Sequence, residues 1–457
     1  MSSNCWIFAT RALMGQRWVH NARLQVSAGK ITTLEEGAAA QAGDCRVDTL
    51  LPALSNLHSH SFQRAMAGMT EARVAGRESF WSWRTLMYRF LERLTPEHVE
   101  AFAAQVFMEM QEAGYAAVGE FHYVHHQQGG APYQALSELS QRIFAAAGQT
   151  GMGLTHLPVL YSYGGAGKQA LAGGQLRFGN DVARFGRLVE ECRAAAKALP
   201  ADCLVGIAPH SLRATAPGDL AAALPLAQGQ PVHIHVAEQP KEVEDIQAWL
   251  GARPVQWLLD NAVVDKSWCA IHATHMTAGE TRGLAQSGAV AGLCPITEAN
   301  LGDGPFNGPG WLAAGGAFGI GSDSNVRISL TEELRTLEYS QRLRDLSRNV
   351  LVPEQGSVGA YLYTHAARGG AQALGRNAGE IAVGKLADLV AINSGHDALC
   401  GLSEAQLLDG LCFAAPDTVI TDLWSAGRHR VQGGRHVARE AVSARYRRAI
   451  ADLTQAL

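Results

Sequence analysis

Eight short apolar runs recur through the middle of the chain, separated by stretches of helical periodicity, and this alternation restricts the fold more than any other feature. The runs cover residues 51–58, 117–122, 153–162, 204–210, 232–238, 268–275, 289–297 and 317–323. Between them, residues 97–111 and 181–199 repeat apolar positions at helical spacing, the first opened by Thr95-Pro96 as cap and first turn. Strand-like runs alternating with helices predict parallel βα units. Eight such units close into a (β/α)8 barrel of roughly 250 residues or more. In most of the runs the residues able to do chemistry sit at the C-terminal end, the face on which barrel enzymes build their sites.

The two ends of the chain have a different texture. Arg23-Leu24-Gln25-Val26-Ser27 alternates, Ala28-Gly29-Lys30 turns, and Ile31-Thr32-Thr33-Leu34 alternates again. Ala387-Asp388-Leu389-Val390-Ala391-Ile392 reads as a buried strand, and residues 424–428 with 431–437 read as a closing hairpin. The expected organisation is an α/β chain with a barrel over 51–369. A small β-sandwich domain is expected from 1–50 and 370–438, and a C-terminal amphipathic helix, docked on the barrel, over 439–457.

Composition narrows the class. The 457 residues are 47% hydrophobic and 18% charged, enough for a large core, and the net charge of −4 argues against a general nucleic-acid or membrane-surface binder. No apolar run reaches the ~20 residues needed to cross a bilayer. The eight cysteines form no Cys-x-x-Cys pair and no basic-then-apolar leader opens the sequence, so a reduced, cytoplasmic protein is expected.

The chemistry is concentrated in four clusters. Leu57-His58-Ser59-His60 puts two imidazoles on one face of a strand end, because alternate side chains leave the same side. His233-Ile234-His235-Val236-Ala237-Glu238, Ile271-His272-Ala273-Thr274-His275 and Gly321-Ser322-Asp323-Ser324 follow in barrel order. Alone, His235 is an ordinary strand histidine and Asp323 a turn cap. Together, His58, His60, His235 and Asp323 make a ligand set suited to one Zn2+ or Fe2+ with a position left for water. His233 is expected to lie deeper as a packed histidine, and His275 ranks below His272. The adjacent His125 and His126 are expected in a loop or at the surface.

This set of motifs resembles the amidohydrolase superfamily, over nearly the whole chain. Only six lysines are present and none ends a barrel strand, so a one-metal site is expected rather than the lysine-bridged pair of other members. His235-x-x-Glu238 resembles the branch of that family that hydrolyses C–N bonds. Within the branch, Gln63-Arg64, Phe80-Trp81-Ser82-Trp83-Arg84, Gly119-Glu120-Phe121-His122-Tyr123 and Pro209-His210-Ser211-Leu212-Arg213 are most similar to the deiminases of N-formimidoyl-L-glutamate, enzymes of histidine degradation. The resemblance implies a (β/α)8 barrel, a bound divalent metal, most simply Zn2+, and a homodimer. It implies that Glu238, His272 and Asp323 handle protons and that Gln63, Arg84, Tyr123, His210 and Arg213 contact the substrate. Ser61 stands where that family carries alanine.

The implied substrate has two carboxylates, and two arginine forks suit them. A related aminohydrolase acting on guanine or another heterocycle is the alternative; stacking rings and amide donors would serve it better. A catalytically silent barrel is the third reading, against which stands the retention of every expected ligand.

Overall fold

The computed structural model describes residues 5–71 and 80–455, with no description of side chains before residue 86 in the second stretch. Strands from both chain ends join one mixed eight-stranded sheet. Its order is Arg435–His436, Arg428–Gln432, Ile420–Ser425, Leu389–Ile392, Cys45–Pro52, Cys5–Met14, Arg17–Ser27 and Lys30–Glu35. The two termini meet where Leu389–Ile392 runs antiparallel to Cys45–Pro52. Ile7, Leu24, Leu50, Leu389 and Trp424 fill a separate apolar core beneath this sheet.

The middle of the chain forms two parallel sheets. One runs Leu54–Ser59, Tyr115–His122, Gly153–Leu160 and Leu204–Val205, with Ala208–Pro209 also on Gly153–Leu160. The other runs Val232–Val236, Trp268–His272, Val290–Leu293 and Ala317–Ile320. Parallel bridges join them on both margins, Ile207 to Val232 and Ser59 to Asp323. The second margin is stitched by side chains. Asn56 Nδ2 donates to Ser322 Oγ at 2.7 Å, Ser322 Oγ to Asn325 Oδ1 at 2.6 Å, and Asn325 Nδ2 to Ser59 Oγ at 3.1 Å. Gly321 makes the approach possible: a Cβ there would lie 2.7 Å from the His58 backbone nitrogen.

Several of the apolar runs have other boundaries than expected, and run 204–210 divides into Leu204–Val205 and Ala208–Pro209. Run 51–58 spans two strands, because Leu51 and Pro52 end Cys45–Pro52 and Leu54 begins the next. Run 289–297 is a short strand, Val290–Leu293, followed by the helix Pro295–Leu301. Apolar content alone does not separate a buried strand from the first turn of a buried helix, and Pro295 at the first helical position marks the change. The helix Pro96–Glu112 begins at a Thr95 cap that accepts from the His98 backbone, as its sequence dictates. The final helix, Arg439–Gln455, lies against it: His98 meets Asp452 at 2.9 Å, and Arg445 and Arg439 pair with Glu100 and Glu112.

A buried ion cluster ties the end sheet to the parallel strands. Arg376 forks onto Asp388 at 2.9–3.1 Å and reaches the Asp202 carbonyl at 2.6 Å, while Arg428 forks onto Asp202 at 2.6 and 2.7 Å. Removing one member of such a cluster strands the others in low dielectric. Arg376→Met is expected to destabilise the fold by about 3–5 kcal/mol, read as a lowered denaturant midpoint. A midpoint within error of the wild type would show the cluster to be energetically idle.

Candidate metal centre

The C-terminal ends of the parallel strands converge on one buried group. His58 and His60 close the strand Leu54–Ser59, His235 lies in Val232–Val236, and Asp323 follows Ala317–Ile320. One ligand atom from each lies within 4.8 Å of all the others. The His58 and His235 Nε2 atoms are 3.1 Å apart, and Asp323 Oδ1 is 3.4 Å from His58 Nε2 and 3.3 Å from His60 Nε2.

The surroundings fit a cation. His60 Nδ1 donates to the Phe121 carbonyl at 2.9 Å and His235 Nδ1 to the His210 carbonyl at 3.2 Å, so each ring turns an unprotonated Nε2 inward. Burial depresses all three imidazoles, His58 to about 3, which keeps them neutral and able to ligate. Burial would raise Asp323, but positive charge facing it would hold its carboxyl well below the usual range, and with these imidazoles neutral His272 and a cation are the groups that can supply that charge. Three neutral imidazoles and a carboxylate suit zinc or ferrous iron. A second grouping, His272, Cys294 and Asp323, also comes together. Its thiol is pushed well above its ordinary value by burial, and a thiol is a poorer ligand than a thiolate.

Backbone strain marks the same place. Ala237, His272, Ala273 and Asp323 all have positive φ, from 45° to 66°. These are four of the twelve described non-glycine residues with positive φ, and here buried hydrogen bonds hold the conformation. At Asp323 the backbone N–H donates to His58 O and the carbonyl accepts from His60 N, both at 2.9 Å. At Ala237 and Glu238 the backbone N–H groups both donate to the Glu242 carboxylate, at 3.3 and 3.0 Å.

A cavity of about 570 Å3, open mouth included, leads to the cluster. His60, His235, Glu238, His272 and Asp323 line its floor, and Gln63, Tyr123, His210, Arg213, Met87, Tyr161 and Phe178 are among its walls. Gln63 Nε2 donates to the Tyr123 hydroxyl at 2.6 Å. Thus four of the five side chains expected to touch substrate share one cavity with the cluster. The fifth, Arg84, lies in the helix Phe80–Leu91 and its side chain is outside the described residues.

Glu238 and His272 face each other, His272 Nε2 lying 3.9 Å from Glu238 Oε1 and 3.8 Å from Asp323 Oδ2. Burial raises the Glu238 carboxyl, which favours a group that holds and passes a proton. For His272 burial works downward, but Glu238, Glu298 and Asp323 outweigh it and lift the imidazole to about 10; a bound cation would oppose them.

Other histidines have structural partners. His233 Nε2 donates to the Ala373 carbonyl at 2.8 Å and His275 Nε2 to the Asp303 carbonyl at 2.8 Å. His125 and His126 follow a strand end, but they are buried rather than surface residues, each donating through Nε2 to a carbonyl at 2.9 Å. Unmet backbone acceptors drew them inward. Three buried carboxylates escaped the sequence reading. Glu120 accepts from Ser61 N at 2.8 Å behind the His58–His60 turn, Glu242 holds the turn at Glu238, and Glu298 accepts from His272 Nδ1 at 3.1 Å. A carboxylate just past a buried strand end, as at Cys294-Pro295-Ile296-Thr297-Glu298, is a signal that could have found the last.

Comparison with known proteins agrees with this arrangement. A model described as the amidohydrolase family matches residues 49–429, and one described as the N-terminal domain of the formimidoylglutamate deiminase HutF matches residues 5–48. The formimidoylglutamate deiminase of Pseudomonas aeruginosa is 48% identical over 437 residues, 95% of this chain and 96% of that protein. An amidohydrolase crystal structure from Brucella melitensis superposes with a TM-score of 0.94 at 47% identity, over 98% of this chain and 100% of that one. An adenosine deaminase from Xanthomonas campestris with bound zinc shares the fold, with a TM-score of 0.81 at 22% identity over 99% of each chain.

Proposed function

The chain belongs to the amidohydrolase family, and from that premise we propose that it is a metal-dependent hydrolase converting N-formimidoyl-L-glutamate to N-formyl-L-glutamate and ammonia, a step of histidine degradation. The observation that carries the reading is the meeting, in one cavity, of a four-residue ligand cluster, the Glu238–His272 pair and Arg213. The 48% identity to a formimidoylglutamate deiminase across 95% of the chain supports the same substrate. In this reading the two parallel sheets close into the (β/α)8 barrel, supported by the bridges on both margins. Its first strand begins at Leu54 rather than at residue 51, because Leu51 and Pro52 pair in the mixed sheet, which would belong to the β-sandwich domain of both ends.

His58, His60, His235 and Asp323 hold one divalent ion, zinc by analogy with the zinc-bound structural neighbour, with ferrous iron the alternative. Such an ion supplies Lewis acidity and lowers the pKa of water toward neutrality. Asp323 accepts the proton that water gives up. His272 donates toward the oxygen joining the formimidoyl carbon and stabilises its developing charge. Glu238 delivers a proton to the departing nitrogen, which leaves as ammonia. Arg213 and Arg84 pair with the two substrate carboxylates, and Gln63, Tyr123 and His210 fix the amidine between them and the ion.

Steady-state ammonia release from N-formimidoyl-L-glutamate, set beside guanine and adenosine, tests the assignment. Turnover of the amidine alone is expected. Preference for guanine would replace it with the heterocycle reading, and no ammonia from any substrate with metal bound would leave a silent barrel.

A further inference from the structure

We infer that Glu298 is a positioning residue for the reaction, holding the His272 ring by its Nδ1–H so that Nε2 stays turned to the substrate. The inference rests on the deiminase reading for what His272 does, and on geometry for how His272 is held. His272 ends the strand Trp268–His272 with φ of 66°, and Ala273 follows at 48°. The chain turns away there, and the His235 ring of the neighbouring strand stacks on the His272 ring at 5.6 Å between centroids, which sets its plane but not which edge carries the nitrogen. Glu298 selects the edge. Its Oε1 lies 3.1 Å from His272 Nδ1 and accepts from the Cys294 N–H at 2.9 Å.

Glu298 is itself immobilised. Its N–H donates to the Cys294 carbonyl and its carbonyl accepts from the Asp303 N–H, both at 2.9 Å. Glu298 and His272 are buried, at 5% and 1% exposure, so water does not compete for the contact. A carboxylate on one imidazole nitrogen sets both the tautomer and the direction of the other. With Nδ1–H committed to Glu298, Nε2 points at Glu238 and Asp323, 3.9 and 3.8 Å away. A ring rotated by half a turn would present carbon to the reaction instead.

The plainer account is that Glu298 only caps the helix Pro295–Leu301 through Cys294 and touches His272 by proximity. The two differ in what Glu298→Ala and Glu298→Gln do to the zinc-loaded enzyme. Gln keeps an acceptor oxygen for both donors and Ala keeps none. A positioning role predicts that Glu298→Ala lowers kcat on N-formimidoyl-L-glutamate by about 10–100-fold, with KM and bound zinc unchanged, and that Gln restores most of the loss. An unchanged kcat in Glu298→Ala, or a loss shared with zinc content and not rescued by Gln, would overturn it.

A second readout needs no substrate. In zinc-loaded wild type labelled with 15N-histidine, the His272 signal, assigned through His272→Asn, is expected to show a protonated, hydrogen-bonded Nδ1 that is lost in Glu298→Ala. A wild-type signal with Nδ1 unprotonated would sink the inference. Because this arm runs without substrate, it is separable from a failure of the proposed activity, which the ammonia assay on wild type reads.

Discussion

Glu238→Gln is expected to slow ammonia release from N-formimidoyl-L-glutamate by about 10²–10⁴-fold while binding as much metal as the wild type. The substitution is nearly isosteric and removes one thing, a carboxyl able to carry a proton to the departing nitrogen. Glu238 lines the cavity floor but is absent from the ligand group of His58, His60, His235 and Asp323. Its backbone is held independently by Glu242, so the turn should survive. The contrast is His235→Ala, which removes a ligand and should lose activity and metal together. Metal analysis beside kcat separates the two. If Glu238→Gln also lost its metal, or kept wild-type turnover, the division of labour between ligands and proton carrier would be wrong.

The grouping of the candidate ligands was partly legible in the sequence, because the His58-x-His60 spacing is local and the other members end strands of one alternating pattern. His58 and His60 share a face by strand geometry alone, and the order of His235, His272 and Asp323 along the chain follows the order of strands around the site. The four candidate ligands therefore stand out once the alternation of strands and helices is seen. What the sequence hid were groups whose role depends on a partner far away. Glu298 reaches His272 from the next strand-helix unit, 26 residues on, and Glu120 meets Ser61 from 59 residues away. Glu120 stands within the Gly119–Tyr123 motif and Glu298 just past a strand end, but neither position names its partner, and a buried glutamate in a sequence looks like an exposed one. His125 and His126 lie in a loop as expected, but their burial was hidden for the same reason: it goes with carbonyls at Val159 and Gly179 that no local pattern reveals. The margin stitched by Asn56, Ser322, Asn325 and Ser59 was equally invisible, since small polar residues after strands ordinarily read as turns.

Arg213→Met should reduce kcat/KM for N-formimidoyl-L-glutamate by roughly 10²–10³-fold, the equivalent of about 3–4 kcal/mol. Arg213 is 6% exposed and lines the cavity beyond the ligand cluster. Burial opposes its charge, but Tyr161, Glu242 and Glu238 around it keep it firmly protonated. A buried guanidinium facing a carboxylate in a lowered dielectric makes a stronger charge pair than one at the surface. The loss should appear mainly in KM, because the carboxylate is the same in ground and transition states. Arg213→Lys should recover only part, since a point charge cannot match the two parallel hydrogen bonds of the fork. An N-formimidoyl alkylamine without carboxylates supplies the control: on that substrate Arg213→Met and the wild type should differ by less than about threefold if the arginine acts on the carboxylate alone. An equal loss on both substrates would place Arg213 in support of its neighbours Glu238 and Glu242 instead, and recognition of the dicarboxylate would then have to come from elsewhere in the cavity.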